Sequence, residues 1–407
     1  MIIKPMVRNN ICLNSHPAGC AAVVKRQIEY VKGQIPGAQE GTPRLALVIG
    51  CSTGYGLASR ITAAFGYGAA TVGISLEKPA SDTKPGTPGY YNNLCFDREA
   101  RKAGLVSITL DGDAFSDGVR AQAADAIRKA AAEAGLPAKV DLIIYSLASP
   151  VRTDPKTGTL YRSVIKPIGK SFSGNTVDMM SGKITVSTAE PASDEEIANT
   201  IKVMGGEDWE LWMDALAKED VLAPNARSLA YTYIGPELSW AIYKNGTIGR
   251  AKEDLERAAR DINKKHGGKI AGAWVSVNKA LVTRASAVIP IIPLYVSCLF
   301  KVMKEKGNHE GCIEQIVRLC KDRLYSAEAL KDPSKTPVDG EGRIRIDDWE
   351  MTEDVQKACS EKMALVTEEN VFSATDVAGF KQDFMEANGF DVPGVDYEAD
   401  VDLSFKE

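Results

Sequence analysis

Three observations predict an α/β fold with a parallel sheet covered by helices on both faces. Two runs, 44–50 (RLALVIG) and 140–147 (VDLIIYSL), are dominated by apolar residues, as strands buried on both faces are. Between them, helix-like and strand-like stretches alternate, which is the rhythm of βαβ units with right-handed crossovers. The first run also ends in a glycine-rich turn that opens directly into a helical pattern.

Taken in order, 2–13 reads as a short extended segment and 20–32 as a helix. The strand 44–50 is followed by a helical pattern over 55–65, a strand over 70–75 and a third strand over 106–110. An Ala-rich stretch, 118–134, is helical and leads into the fourth strand, 140–147. From 149 to 191 Gly and Thr become frequent and alternation is short, as in 183–187 after the Ser181-Gly182 turn; this predicts an inserted β-hairpin region. Helices resume near Asp194, 231–252 reads as helical, and 272–277 is a further candidate strand. Beyond Phe300 the chain is mostly helical and charged, with Pro and Gly punctuation over 332–342.

At 407 residues the prior is two or three domains, but one decorated α/β domain of this size is common. The expectation is therefore a single domain over 1–407. Its core covers about 40–150 and 225–300, its insertion about 151–224 and its helical C-terminal part about 301–407. Apolar content of 44% and charged content of 25% exclude disordered and fibrous classes. A net charge of −5 argues against nucleic acid or an anionic membrane as the main partner. The longest nearly apolar run, 285–300, is short for a membrane span and is interrupted by Pro290 and Pro293. No signal peptide is read at 1–10. Eight scattered cysteines without a C-x-x-C pair read as free thiols of a cytoplasmic protein, and with three histidines no metal site is expected.

The turn Gly50-Cys51-Ser52-Thr53-Gly54-Tyr55-Gly56 has the spacing G-x-x-x-G-x-G, the variant of short-chain dehydrogenase-type reductases with a Rossmann-type sheet. Such glycines let the backbone approach a pyrophosphate, and the following helix offers free N–H groups and the positive end of its dipole. Glu77 closes the second strand 77 − 56 = 21 residues past the last glycine. An acid there is placed to accept from the adenosine ribose and to repel a 2′-phosphate, favouring NADH; the adjacent Lys78 leaves some NADPH use open. Asp113 and Ala114 follow the third strand, where adenine would lie. Ser146, Leu147 and Ala148 end the fourth, near the nicotinamide ribose.

Reduction of a carbonyl, or of a conjugated alkene through an enolate, needs an acid at the oxygen as well as hydride. Short-chain reductases use a Tyr, with a Lys that holds the cofactor ribose, usually as Tyr-x3-Lys or Tyr-x6-Lys. Here Tyr243 and Lys252 form Tyr-x8-Lys, Tyr233 lies ten residues before Tyr243, and Lys244 rivals Lys252 on spacing alone.

The chain resembles the trans-2-enoyl-CoA reductase family, which includes the long single-chain type of bacterial enoyl-ACP reductase. The resemblance runs end to end, through 1–8 (MIIKPMVR), 50–58 (GCSTGYGLA), 112–116 (GDAFS), 145–150 (YSLASP), 203–209 (VMGGEDW), Tyr243-x8-Lys252, 300–306 (FKVMKEK) and 388–391 (NGFD). It implies NADH-dependent reduction of the C2=C3 bond of a 2-enoyl thioester, carried on CoA or, alternatively, on ACP, by a monomer. By position, Tyr243 would be the proton donor or enolate stabiliser, Lys252 would hold the nicotinamide ribose, and Tyr233 would touch the thioester carbonyl. Gly50 to Tyr55, Leu76, Glu77, Asp113, Ala114, Leu147 and Ala148 would line the cofactor site. Leu281, Val282 and Thr283 would contact cofactor and substrate. The run 285–300 fits an acyl-chain pocket or a lid. Arg101, Lys102, Arg152, Lys202 and Arg284 are candidates for meeting the carrier. Members of the family have carried a flavin label on the C-terminal part, but no flavin fingerprint is visible there. A keto or hydroxy short-chain dehydrogenase is disfavoured by the Tyr-x8-Lys spacing and the added length. A non-catalytic dinucleotide sensor would have no need of a proton donor.

Overall fold

The computed structural model describes residues 1–8, 11–282 and 291–405. Its strands are β1 (Val7–Arg8), β2 (Ile11–Cys12), β3 (Leu45–Ile49), β4 (Ala70–Ser75), β5 (Ser107–Asp111), β6 (Val140–Tyr145), β7 (Val151–Thr153), β8 (Leu160–Arg162), β9 (Phe172–Val177), β10 (Ile184–Ala189), β11 (Leu222–Thr232), β12 (Ile270–Val277) and β13 (Ile344–Arg345). The helices are α1 (Pro17–Gln34), α2 (Gly54–Ile61), α3 (Pro88–Lys102), α4 (Asp117–Ala134), α5 (Asp194–Met204), α6 (Glu207–Lys218), α7 (Thr247–His266), α8 (Ile292–Lys306), α9 (Cys312–Leu319), α10 (Ala327–Lys331), α11 (Glu353–Leu365), α12 (Val371–Ala374) and α13 (Val377–Glu386).

One seven-stranded sheet, ordered β13-β12-β11-β6-β3-β4-β5, organises the molecule, and all its pairings are parallel. β3 and β4 are buried along their whole length, as their unbroken apolar sequence requires. α4, α6 and α7 cover one face, and α1, α2, α3 and α9 the other. The order of connection reverses between β3 and β6, so the crevice at their carboxyl ends is a topological switch point, where open α/β sheets bind ligands.

Two antiparallel hairpins, β7–β8 and β9–β10, fill the predicted insertion. Three elements escaped prediction: α3, β11 and the two-residue edge strand β13, which lies in a part expected to be helical. α3 begins at Pro88 and carries Asn92, Asn93 and several charges, a composition that masks its apolar stripe. The stretch ending at Tyr231, expected as helix, is instead the central strand β11. Pro224, Asn225 at φ 64 and a register shift at Ala226/Arg227 break its strand pattern.

A third apolar cluster lies outside the sheet, around α8, α11 and α13. α8 is buried on all sides from Ile292 to Phe300, and 285–290, the first part of the run expected as an acyl pocket or lid, lies outside the described residues. No helix among the described residues is long and apolar enough to cross a membrane. Between α4, α6 and β6, Arg120 pairs with the wholly buried Asp208, which also accepts from the Tyr145 hydroxyl at 3.1 Å. Losing one member of such a pair costs about 3–5 kcal/mol, since the other charge stays buried.

Sequence-distant segments are also knotted together at one edge. His16 N–H donates to the Asn388 carbonyl at 3.0 Å. A Cβ on Gly19 would lie 1.7 Å from the Gly389 carbonyl oxygen, so these backbones touch because neither residue carries a side chain.

Candidate active site

The glycine turn sits at the switch point, where β3 runs into α2. Gly50 has φ 87, and a Cβ there would come within 2.3 Å of the Ser146 carbonyl oxygen. A Cβ on Gly56 would come within 1.8 Å of the Gly50 carbonyl oxygen. Gly54, at φ 54, faces open space. Thr53 begins α2 without a side-chain cap, so the first N–H groups of the helix lack intrahelical partners. This is a cradle that fits a pyrophosphate: tight behind, open in front and lined by free donors.

Of the other expected cofactor residues, Glu77 touches this turn directly. Ser52 Oγ donates to Glu77 Oε1 at 2.6 Å, and the Thr87 hydroxyl donates to the other carboxylate oxygen. Asn92 Nδ2 donates to the Ser52 carbonyl at 2.9 Å. Asn93 donates to Ser75 Oγ at 2.9 Å and accepts from the buried Cys51 thiol. These braces from α3 carry no motif and were not anticipated. Leu76 is exposed beside Glu77. Asp113 accepts from the Phe115 N–H at 3.0 Å, and the buried Ala114 accepts from Trp212 Nε1 at 3.1 Å. Leu147 and Ala148 follow β6, and Leu281 and Val282 lie buried after β12; Thr283 lies outside the described residues.

Glu77→Ala should raise kcat/KM with NADPH relative to NADH by about tenfold or more, because it removes a like charge facing a 2′-phosphate. Steady-state rates with both cofactors check this, and an unchanged ratio would separate Glu77 from the ribose.

Five tyrosines cluster at the carboxyl ends of β3, β11 and β12. The Tyr55 hydroxyl donates to the Lys279 carbonyl at 3.1 Å. Tyr231 shares a hydrogen bond with Ser59 at 2.7 Å. Tyr233 and Tyr295 donate to the same oxygen, Glu350 Oε1, at 3.1 and 2.6 Å. Tyr243 stacks edge-on against Tyr233, with ring centroids 5.0 Å apart. Among the described residues, no hydrogen bond ties the Tyr243 hydroxyl. Its side chain is 8% exposed, and burial pushes its pKa up, which keeps it protonated. Tyr233 lies in the loop after β11 and Tyr243 in the turn before α7, so neither is helical.

α7 settles the two lysines differently. Lys252, in its second turn, donates to the Tyr231 carbonyl at 3.0 Å, and burial pushes its ammonium down to about 8. Lys244 is exposed and lies over the Trp240 ring, 3.9 Å from its centroid. Of the basic residues expected to meet a carrier, Arg152 and Lys202 converge on Glu207. Arg101 and Lys102 end α3, and Arg284 lies outside the described residues.

Glu350 comes from the C-terminal part of the chain. Besides the two phenols, it accepts from the Ala280 N–H at 2.7 Å.

The comparisons with known proteins agree along the whole chain. A family model for the NAD(P)H binding domain of trans-2-enoyl-CoA reductase matches residues 2–82, and one for the trans-2-enoyl-CoA reductase catalytic region matches 84–325. An enoyl reductase FAD binding domain model matches 338–401. Those residues do not fit a flavin: the segment has no strand–glycine–helix cradle, its helices pack their apolar faces on α8, and the space beside Gly389 is filled by His16 and Cys20. The sheet, moreover, draws strands from all three matched segments. The trans-2-enoyl-CoA reductase [NADH] of Treponema denticola is 59% identical over 405 residues, 99% of each chain. An enoyl-[acyl-carrier-protein] reductase [NADH] of Cytophaga hutchinsonii is 54% identical, over 98% of each chain. The crystal structure of the Treponema enzyme in complex with NAD superposes with a TM-score of 0.92 at 60% identity, over 98% of each chain. That of the Clostridium acetobutylicum trans-2-enoyl-CoA reductase in complex with NADH gives 0.92 at 44% identity, over 99% of this chain and 98% of that one. With this sheet, this glycine cradle and matches across its whole length, the chain belongs to the trans-2-enoyl-CoA reductase family.

Proposed function

We propose that the chain reduces the C2=C3 double bond of a trans-2-enoyl-CoA with NADH, giving the saturated acyl-CoA. The observation that carries the reading is the tyrosine cluster: among the described residues four of its hydroxyls have partners and that of Tyr243, just before the helix that bears Lys252, has none, which suits it to meet a substrate oxygen.

NADH, when bound, supplies the hydride that the β-carbon takes up. As the C2=C3 bond is reduced, negative charge builds on the thioester oxygen. The Tyr243 hydroxyl meets that charge with its hydrogen and passes that proton to the α-carbon; a proton from solvent restores the phenol, so the bond gains one hydride and one proton. Lys252, an ammonium near neutral pH, holds the nicotinamide ribose hydroxyls. Ser52 and Glu77 hold the adenosine ribose, and the free N–H groups of α2 hold the pyrophosphate. Tyr233 walls the thioester end beside Tyr243. The apolar packing of Leu281, Val282 and α8 excludes water, which strengthens each of these contacts.

A second reading, with ACP as the carrier, is supported by full-length relatives named enoyl-ACP reductases at 50–54% identity. NADH oxidation with crotonyl-CoA and with crotonyl-ACP at matched concentrations separates the two. The expected result is a kcat/KM at least tenfold higher for the CoA ester, about 1.4 kcal/mol in favour of that carrier. A preference for the ACP ester would move the enzyme to acyl-chain synthesis with the same residues at work.

A further inference from the structure

The mechanism above gives Glu350 no task, and no motif marks it. Its side chain is 0% exposed. Among the described residues no ion pair reaches it: the neighbouring Lys279 turns its ammonium to the carbonyls of Ala280 and Glu310, at 3.0 and 3.3 Å. The groups that donate to Glu350 are neutral; the Lys279 charge acts on it only through space, burial still pushes its pKa up, and an apolar residue of similar volume would often be at least as stable. What Glu350 joins accounts for its presence. Tyr233 follows β11, Ala280 follows β12 and Tyr295 lies in the first turns of α8. These are three walls of the candidate site, held by one residue from the segment after β13.

A phenol has a single hydrogen. The Tyr233 hydrogen is directed to Glu350, so it is not at the same time available to a substrate oxygen. The Tyr233 ring, fixed in this way, presents itself edge-on to Tyr243 at an interplanar angle of 85°. We propose that Glu350 is a positioning residue: by accepting the Tyr233 proton it locks that ring against Tyr243 and leaves Tyr243 as the one phenolic donor for the enolate oxygen. The inference rests on the reading that this site reduces enoyl thioesters.

The test is Glu350→Gln, alone and combined with Tyr233→Phe, in the full-length protein. However the amide turns, it sets an NH2 against the two phenols or against the Ala280 N–H. The expected result is a kcat with crotonyl-CoA about 10- to 100-fold lower, with NADH affinity, read by fluorescence, within about twofold of the starting protein. In the Tyr233→Phe background, Glu350→Gln should cost nothing further, because its path to Tyr243 is already cut. A kcat within about threefold of the starting protein would overturn the proposal, as would an equal loss in both backgrounds or a parallel loss of NADH affinity. Should Glu350→Gln fail to fold, Tyr233→Phe alone decides: lower kcat at unchanged NADH affinity supports the proposal, and unchanged kcat overturns it. Absence of turnover in the unsubstituted protein would instead defeat the enoyl reductase reading.

Discussion

Tyr243→Phe is expected to lower kcat with crotonyl-CoA by about 10²- to 10⁴-fold, the range of a lost general acid or oxyanion donor. The substitution removes one oxygen and keeps the ring, so the 5.0 Å edge contact with Tyr233 survives and the apolar cluster around α8 stays filled. The hydroxyl has no protein partner among the described residues, so its removal leaves no buried group unsatisfied and stability should hold. NADH affinity should also hold, because the phenol is assigned to the substrate oxygen. Rapid mixing of the variant with NADH and crotonyl-CoA checks this directly. Turnover close to that of the unsubstituted protein would take Tyr243 out of its role, and the tyrosine cluster would then need another donor.

Lys252→Met should weaken NADH binding by about 10- to 100-fold, the worth of charge-assisted hydrogen bonds of about 1.5–3 kcal/mol. Lys244→Met, on an exposed ammonium over Trp240, should change it by less than about twofold. The pH dependence has a definite sign. The Lys252 ammonium is pushed from 10.5 down to about 8 by burial. Below pH 8 it is charged and binds; as pH rises through about 8 it loses its proton, and NADH affinity should fall. In Lys252→Met that fall should be absent. Folding runs the other way. Between about 8 and 10.5 the unfolded chain binds more protons at this lysine, so its unfavourable contribution to stability fades as pH rises. At pH 7 the methionine variant should therefore be no less stable to urea. A variant that loses NADH affinity together with its urea midpoint would mean that Lys252 is structural.

Much of the fold could be read from the chain because parallel strands buried on both faces announce themselves. β3, β4 and β6 are apolar runs closed by turns, and α4 follows Ser116, which caps it, and ends at Gly135 with φ 65. β11 hid for a physical reason. Its outer part holds Pro224, Asn225 and the buried Arg227, whose guanidinium lies over the Tyr325 ring, 4.5 Å from its centroid, and donates to the Ala329 carbonyl at 2.7 Å. The glycine turn could be read because a strand-to-helix turn of this kind needs glycines at a fixed local spacing, whereas Tyr243 and Lys252, at an unusual spacing, stood out only through the family resemblance. Ser52 facing Glu77, the asparagines of α3 and Glu350 were not legible. Each depends on tertiary contact, and Glu350 stands 350 − 243 = 107 residues from the tyrosine it is proposed to serve. The run 347–350 (DDWE) carries three acids and no motif, yet Asp347 and Glu350 are both buried.

The contact of Gly19 with Gly389 has a consequence for how the protein is made. α1 lies on the sheet face near α2, yet its first turn is seated only when residues 388–389 arrive, some 370 positions later. The edge strand β13 and Glu350 likewise come from the last fifth of the chain. During synthesis α1 and the glycine cradle emerge long before residues 388–389, which seat the first turn of α1. Contacts this distant in sequence slow folding, and a chain still awaiting them exposes the surfaces that aggregate or recruit chaperones. Nascent chains halted before residue 388 should therefore remain protease-sensitive in α1, however complete their glycine turn.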